Sequence, residues 1–301
     1  MNVKDSNYIK FIDEALELAK AVPKHFSRFS NKIFCNQQKI VLLVLKQKLR
    51  TTYRDLIEFI KISNIPMLIG LKRIPHHTTL VKFAKKIKPS LLVLLLPFRK
   101  ARVVGLDGTG FEVENKSMHY QFRTARTSYR RYIKLGISVD LDEQIILRQT
   151  INKGPRNDCK NFMSLVKDIK TNCLCADKGY DSEKNHKFVV RDLNAKSLIC
   201  VRNLFSAHYR KTIRKRVAET FDEKMYHQRS KVETIFSVIK KKYGSCLRAR
   251  TFSSQKKEIL CNLIAYNLDR LYKLICIILE GFSRAYFVYY KSNYSSNEQI
   301  G

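Results

Sequence analysis

The feature that most constrains the fold is a change of hydrophobic period near residue 100. Up to about residue 95 apolar positions recur at helical spacing and strand-like runs are scarce. From "ARVVGLDGTGFEV" (101–113) the pattern is a strand running into a polar, Gly-rich turn. "RRYIKLGISVDLDEQIILRQTI" (130–151) then gives two β-rich runs split by "DLDEQ", a hairpin signal. "DCKNFMSLVKDIK" (158–170) reads as a helix with Asp158 near its start, and "NCLCADKGYDS" (172–182) as a buried strand ending in Asp177 and a Gly turn. "SEKNHKFVVRDL" (182–193) reads as a helix and "KSLICVR" (196–202) as a strand. Three antiparallel-type strands followed by alternating strand and helix predict an α/β fold, a mixed sheet with helices on both faces.

The first 95 residues are a separate matter. "NQQKIVLLVLKQKLRTTYRDLIEFIK" (36–61) predicts one or two helices with Thr51 or Thr52 as an internal N-cap. "IPHHTTLVKFAKKIK" (74–88) predicts a turn, a Thr cap and a basic helix that carries Thr79 and Lys82. A helix-turn-helix-like DNA reader and a plain helical subdomain with a solvated basic face both fit. His76 and His77 read as capping or surface residues, because adjacent side chains point apart.

Charge narrows the partner. Lys and Arg number 58 against 26 acids, a net charge of +32. An excess of that size argues against an enzyme of small metabolites and for a polyanion, through counterion release and long-range steering. Nucleic acid comes first and an anionic membrane surface second. The opening "MNVKDSNYIKFIDEALELAK" has an early acid and no apolar signal core. "SLLVLLLPF" (90–98) and "YKLICIILEGF" (272–282) fall short of the roughly 20 residues that span a bilayer. A cytosolic chain is therefore expected, with its eight scattered cysteines reduced and buried rather than zinc-bound.

Three carboxylates stand out by position. Asp107 closes the first predicted strand before Gly108, Asp177 closes a later one before "KGY", and Glu233 lies in "YHQRSKVETIFSVIK" (226–240). Strand ends of open α/β sheets collect functional groups, and clustered carboxylates suit Mg²⁺ or Mn²⁺. An Asp before Gly is also an ordinary turn residue. At about 100° per residue, Tyr226, Arg229, Glu233 and Lys240 share a sector about 60° wide. Met225, Val232, Ile235, Phe236 and Ile239 form an apolar face beside it. Glu233 thus rims the buried face, although on the helix alone an ordinary i,i+4 salt bridge with Arg229 is the favoured account of the pair.

Together these residues resemble a known family. "YHQRSKVETIFSVIK" matches the Y-(2)-R-(3)-E-(6)-K signature of DDE-type insertion-sequence transposases of bacteria and archaea, with Tyr226, Arg229, Glu233 and Lys240 at its fixed positions. "VVGLDGTGF" and "CLCADKGYDS" are similar to the first and second aspartate blocks, in family order. Where the family often has a histidine-aspartate pair, this chain has Asn157-Asp158.

The resemblance implies an RNase H-like core over 96–270, interrupted by a basic insertion near 203–223. It also implies a helical DNA-end-binding region over 1–95 and a C-terminal helix and tail over 271–301. Asp107, Asp177 and Glu233 would bind two divalent ions, Mg²⁺ or Mn²⁺. Tyr226, Arg229, Lys240, Lys178, Thr79 and Lys82 would contact double-stranded DNA. The implied activity is cutting at transposon inverted repeats and joining of the 3′-hydroxyl to target DNA, by a homodimer in a synaptic complex associated with the nucleoid. A nuclease of the same fold that cuts without joining, and a DNA-binding relic without catalysis, are the alternatives.

Overall fold

The computed structural model describes residues 7–113, 132–155, 157–202 and 212–294, with side chains through 276. Six helices come first: α1 (Asn7–Ala19), α2 (Asn36–Lys48), α3 (Tyr53–Lys61), α4 (Ile65–Leu68), α5 (His77–Lys86) and α6 (Pro89–Val93). Thr52 caps α3 by accepting from the Asp55 N–H, as expected. The Thr cap expected on α5 is not formed. The helix begins at His77, with His76 in the cap position and no side-chain cap bond. The His76 and His77 rings do not point apart but lie 4.1 Å centroid to centroid, because the first stays outside the helix and folds back over its first turn.

The sheet follows the expected order. It is built from β1 (Lys100–Val113), β2 (Tyr132–Asp140), β3 (Ile145–Lys153), β4 (Lys170–Ala176) and β5 (Lys196–Ile199), in the order β3-β2-β1-β4-β5. β1, β2 and β3 are antiparallel neighbours, while β4 and β5 join in parallel. Short helices α7 (Phe162–Val166) and α8 (Glu183–Lys187) connect the later strands. Then come α9 (Ile213–Glu219), α10 (Glu223–His227), α11 (Ser230–Tyr243), a two-residue strand β6 (Cys246–Leu247) on the end of β1, and α12, unbroken from Phe252 to Tyr294. The result is an α/β fold with a mixed open sheet flanked by helices, consistent with an RNase H-like fold. Part of the basic stretch 203–223, residues 203–211, lies outside the described residues, as do the tail beyond 294 and the side chains of 277–282 in the second apolar run.

Alternation along the strands sets the two cores. Val103, Ile137, Cys173, Cys175 and Leu198 face a core closed by Val232, Ile235, Phe236 and Ile239 of α11, the apolar face read from the sequence. Val104, Leu106, Leu174, Ala176 and Ile199 face the opposite core with Phe162 and Val189. The α11 core continues into α1, α2, α3 and α12. No disulfide joins the eight cysteines; Cys173, Cys175 and Cys261 are buried, and the others are half-buried. No helix among the described residues is long and apolar enough to cross a membrane.

Gly105 fixes how closely α11 sits on β1. A Cβ there would stand 2.6 Å from Leu141 Cδ2 and 2.8 Å from Val232 Cγ2. Gly105→Ala is expected to lower stability by about 1–3 kcal/mol through overpacking, read as a fall in the denaturant midpoint at constant m.

Candidate active site

Asp107 and Asp177 are neighbours by register. The parallel ladder of β1 and β4 ends on the pair Leu106 and Ala176, and the two aspartates are the next residues on each strand. Both follow the face of Gly105 and Cys175 toward α11. Asp177 directly follows Ala176, the last residue of β4, and caps the turn after it, close to the strand end expected. Asp107 does not end its strand. It lies in the middle of β1, because β2 continues to pair Asp107 through Glu112 and holds the Gly-rich stretch extended. What ends at Asp107 is the pairing with β4 alone.

Gly108 is accordingly no turn residue. A Cβ on it would lie 3.2 Å from Asp158 Oδ1 and 3.4 Å from Lys134 Cε, and Lys134 Nζ is 2.7 Å from that Asp158 oxygen. The glycine makes room for an ion pair on the opposite side of β1 from α11. Asp158, whose role the sequence left open although it stands at the position of the family's histidine-aspartate pair, therefore backs the site.

Glu233 is joined to Asp107 through Arg229. The guanidinium donates to Asp107 Oδ2 at 3.1 Å and to Glu233 Oε1 at 2.7 Å. The i,i+4 salt bridge and the rim position are thus both present. Glu233 is 57 % exposed, whereas Arg229 and Asp107 are each 20 % exposed. Burial pushes the Asp107 carboxyl above its ordinary value; the Gly108 N–H and Arg229 oppose this, while Glu233 and Asp177 reinforce it. Burial works against the Arg229 charge, but Asp107, Tyr226 and Glu233 more than offset it and hold the guanidinium protonated.

Lys240 reaches the same strand, donating to Thr109 Oγ1 at 2.7 Å and lying 5.6 Å over the Phe111 ring. Burial lowers its pKa against the pull of Glu112. Tyr226 departs from the single-helix register. It belongs to α10, and between it and α11 the chain tightens to i,i+3 bonds, from Arg229 N–H to Tyr226 and from Val232 N–H to Arg229. Such turns advance about 120° per residue, so the angle counted from Tyr226 does not carry through. Tyr226 packs on Phe221, ring centroids 5.1 Å apart. Lys178 is exposed beside Asp177, to whose Oδ1 its N–H donates at 2.7 Å. Thr79 and Lys82 stand apart on α5, which packs against α2, α3 and α12, and no described bond joins them to the carboxylates.

The turn after Asp177 is anchored by Asp181, whose side chain is 1 % exposed. It accepts from the Arg202 N–H at 2.9 Å, from Arg214, and lies 3.1 Å from His186 Nε2. Burial raises its carboxyl, but the bonds from His186, Arg202 and Arg214 outweigh this and hold it below its ordinary value. A depressed folded-state pKa gives stability that is full above the unfolded value of about 3.9 and lost as pH falls below it. Asp181→Ala is expected to cost about 3–5 kcal/mol at neutral pH, the scale for stranding a buried partner. Melting curves against pH should show that gap closing below about pH 4.

Asp107, Asp177 and Glu233 offer hard oxygen donors, a chemistry that suits a hard divalent cation. Tyr180 lies in the opposite core with Phe162; it is 1 % exposed, its hydroxyl has no partner among the described residues, and burial, then the charges of Asp158, Asp107 and Asp177, push its phenol up. Among the described residues, however, no three His, Cys, Asp or Glu are gathered closely enough to hold a metal ion. In the arrangement seen, the protein's own cation, Arg229, balances two of the carboxylates.

A family model described as a transposase DDE domain matches residues 98–268. That match spans β1 to α12 and contains Asp107, Asp177 and Glu233. A search of curated proteins found no match.

Proposed function

The chain belongs to the transposase DDE-domain family, and from that premise we propose that it cuts DNA at transposon ends and joins the freed 3′-hydroxyl to target DNA. One observation carries the reading: Asp107 and Asp177 lie side by side where the β1–β4 ladder ends, and Glu233 is tied to Asp107 through Arg229. In this reading residues 96–270 are an RNase H-like core, and Asp107, Asp177 and Glu233 hold two divalent ions, Mg²⁺ or Mn²⁺. When bound, such ions activate the attacking oxygen and stabilise the leaving one in an in-line displacement. The side chains hold and aim the substrate. Lys240, fixed on Thr109, and Arg229 offer positive charge on the face of β1 that bears Asp107. Lys178 and Tyr226 flank that face, with Tyr226 offering a half-buried phenol. Residues 1–95, with Thr79 and Lys82 on α5, bind the transposon end, residues 271–294 belong to the last helix, and a homodimer holds two ends in a synaptic complex in the cytoplasm, on the nucleoid.

The test is a duplex carrying the inverted repeats that flank the reading frame, incubated with the protein and Mg²⁺. Cut ends joined to a second duplex are expected. Cutting without joining would replace the proposal with a nuclease, and binding without either with a relic. Lys240→Met is expected to weaken end binding by about 3- to 10-fold and to reduce the salt slope by about one, as for loss of one phosphate contact.

A further inference from the structure

We infer that Arg229 is a latch that makes cation entry depend on DNA binding. In the DNA-free chain its guanidinium forks between Asp107 at 3.1 Å and Glu233 at 2.7 Å; on a DNA phosphate it releases both. The inference rests on Asp107, Asp177 and Glu233 being the ion-holding residues.

Geometry and charge lead there together. Arg229 bridges residues 122 and 4 positions away in sequence, so one side chain withholds two of three carboxylates at once. With Arg229 in place the four groups sum to a charge of about −2, and with it withdrawn to about −3, which favours two divalent cations. The guanidinium stays charged at any working pH, so it leaves by exchanging anions and not by losing a proton. A phosphate offers the same two-pronged acceptor as a carboxylate, so the exchange costs no hydrogen bond. Position favours it too. Arg229 sits at the N-terminal end of the 14-residue helix α11, where the aligned peptide dipoles draw an anion. Its side chain is one-fifth exposed, so solvent reaches part of it. Glu233, more than half exposed, is the carboxylate that the latch holds in place and that release sets free to turn toward Asp107. Binding linkage then runs both ways: DNA tightens cation binding and the cation tightens DNA binding by the same factor.

The test measures Mn²⁺ binding itself, by titration calorimetry or by the spin resonance of free Mn²⁺, without turnover. Wild type, Arg229→Ala, Arg229→Lys and Asp107→Asn are compared with and without a non-cleavable duplex, after subtraction of binding by the duplex alone. Arg229→Ala is expected to bind Mn²⁺ about 5- to 100-fold more tightly than wild type without DNA. The duplex should tighten binding in wild type by a similar factor and change it little in Arg229→Ala. Arg229→Lys keeps the charge but cannot fork to both acids. Intermediate tightening is expected of it, and it carries the test alone if circular dichroism shows Arg229→Ala unfolded. Unchanged Mn²⁺ affinity in the folded Arg229 variants, with binding lost in Asp107→Asn, would overturn the latch while leaving the ion site standing. Asp107→Asn that binds Mn²⁺ as well as wild type would overturn the ion site, and the latch with it.

Discussion

Asp107→Asn is expected to lower cleavage and joining of transposon-end DNA by about a thousandfold or more while leaving the fold in place. The substitution keeps shape. An Asn oxygen can stand in for Oδ1, which accepts from the Gly108 N–H at 2.8 Å, while the bond that Oδ2 accepts from Arg229 at 3.1 Å is lost. What it removes is the negative charge at the end of the β1–β4 ladder, beside Asp177. Asp177→Asn and Glu233→Gln should cost about as much. Because the three acids act as one unit, double variants should fall little further than the singles. Single-turnover cleavage of a labelled duplex measures this, with a thermal melt to confirm folding. A folded Asp107→Asn that keeps more than about a tenth of the activity would remove Asp107 from the reaction.

Duplex affinity should fall by about 10³- to 10⁵-fold between 50 and 200 mM salt, the range for a protein that makes roughly 6–10 phosphate contacts. The basis is the +32 charge, since neutralising phosphates releases condensed counterions. Fluorescence anisotropy across a salt series gives the slope. Lys82→Ala and Lys178→Ala should each make it shallower by about one, uniformly across DNA sequences. Both lysines are exposed, one on α5 and the other beside Asp177, so loss of slope from Lys178 alone would remove the N-terminal helices from the DNA-binding surface. A slope near zero would sink the nucleic-acid reading altogether.

How much of this was legible in the sequence varies with the range of the interaction concerned. The succession of strands along the chain and the buried face of α11 were legible, because both depend on side-chain period along one element. Asp177 was legible as a strand end for the same reason. Asp107 was misread as one. "DGTG" has the local chemistry of a turn, and only pairing with β2, through residues 107–112, holds it extended. The start of α5 was displaced from its Thr by the same kind of local ambiguity. Tyr226 was placed on the helix of Glu233 because period analysis assumes uniform advance, and the i,i+3 bonds around Arg229 break it.

By itself, then, the sequence determined that this chain forms an α/β fold, that it seeks a polyanion, and that three acids stand in ordered blocks similar to those of a transposase. These follow from composition, from periodicity and from residues close in the chain. Only the tertiary structure decided that Gly108 is a space for Asp158 and Lys134 and that Asp107 lies within a long strand. It alone decided that one guanidinium spans Asp107 and Glu233. The physical reason is reach. A pattern along the chain records which face a residue takes, whereas the partner it meets there depends on how the sheet and α11 pack, and for Arg229 that partner is 122 residues away.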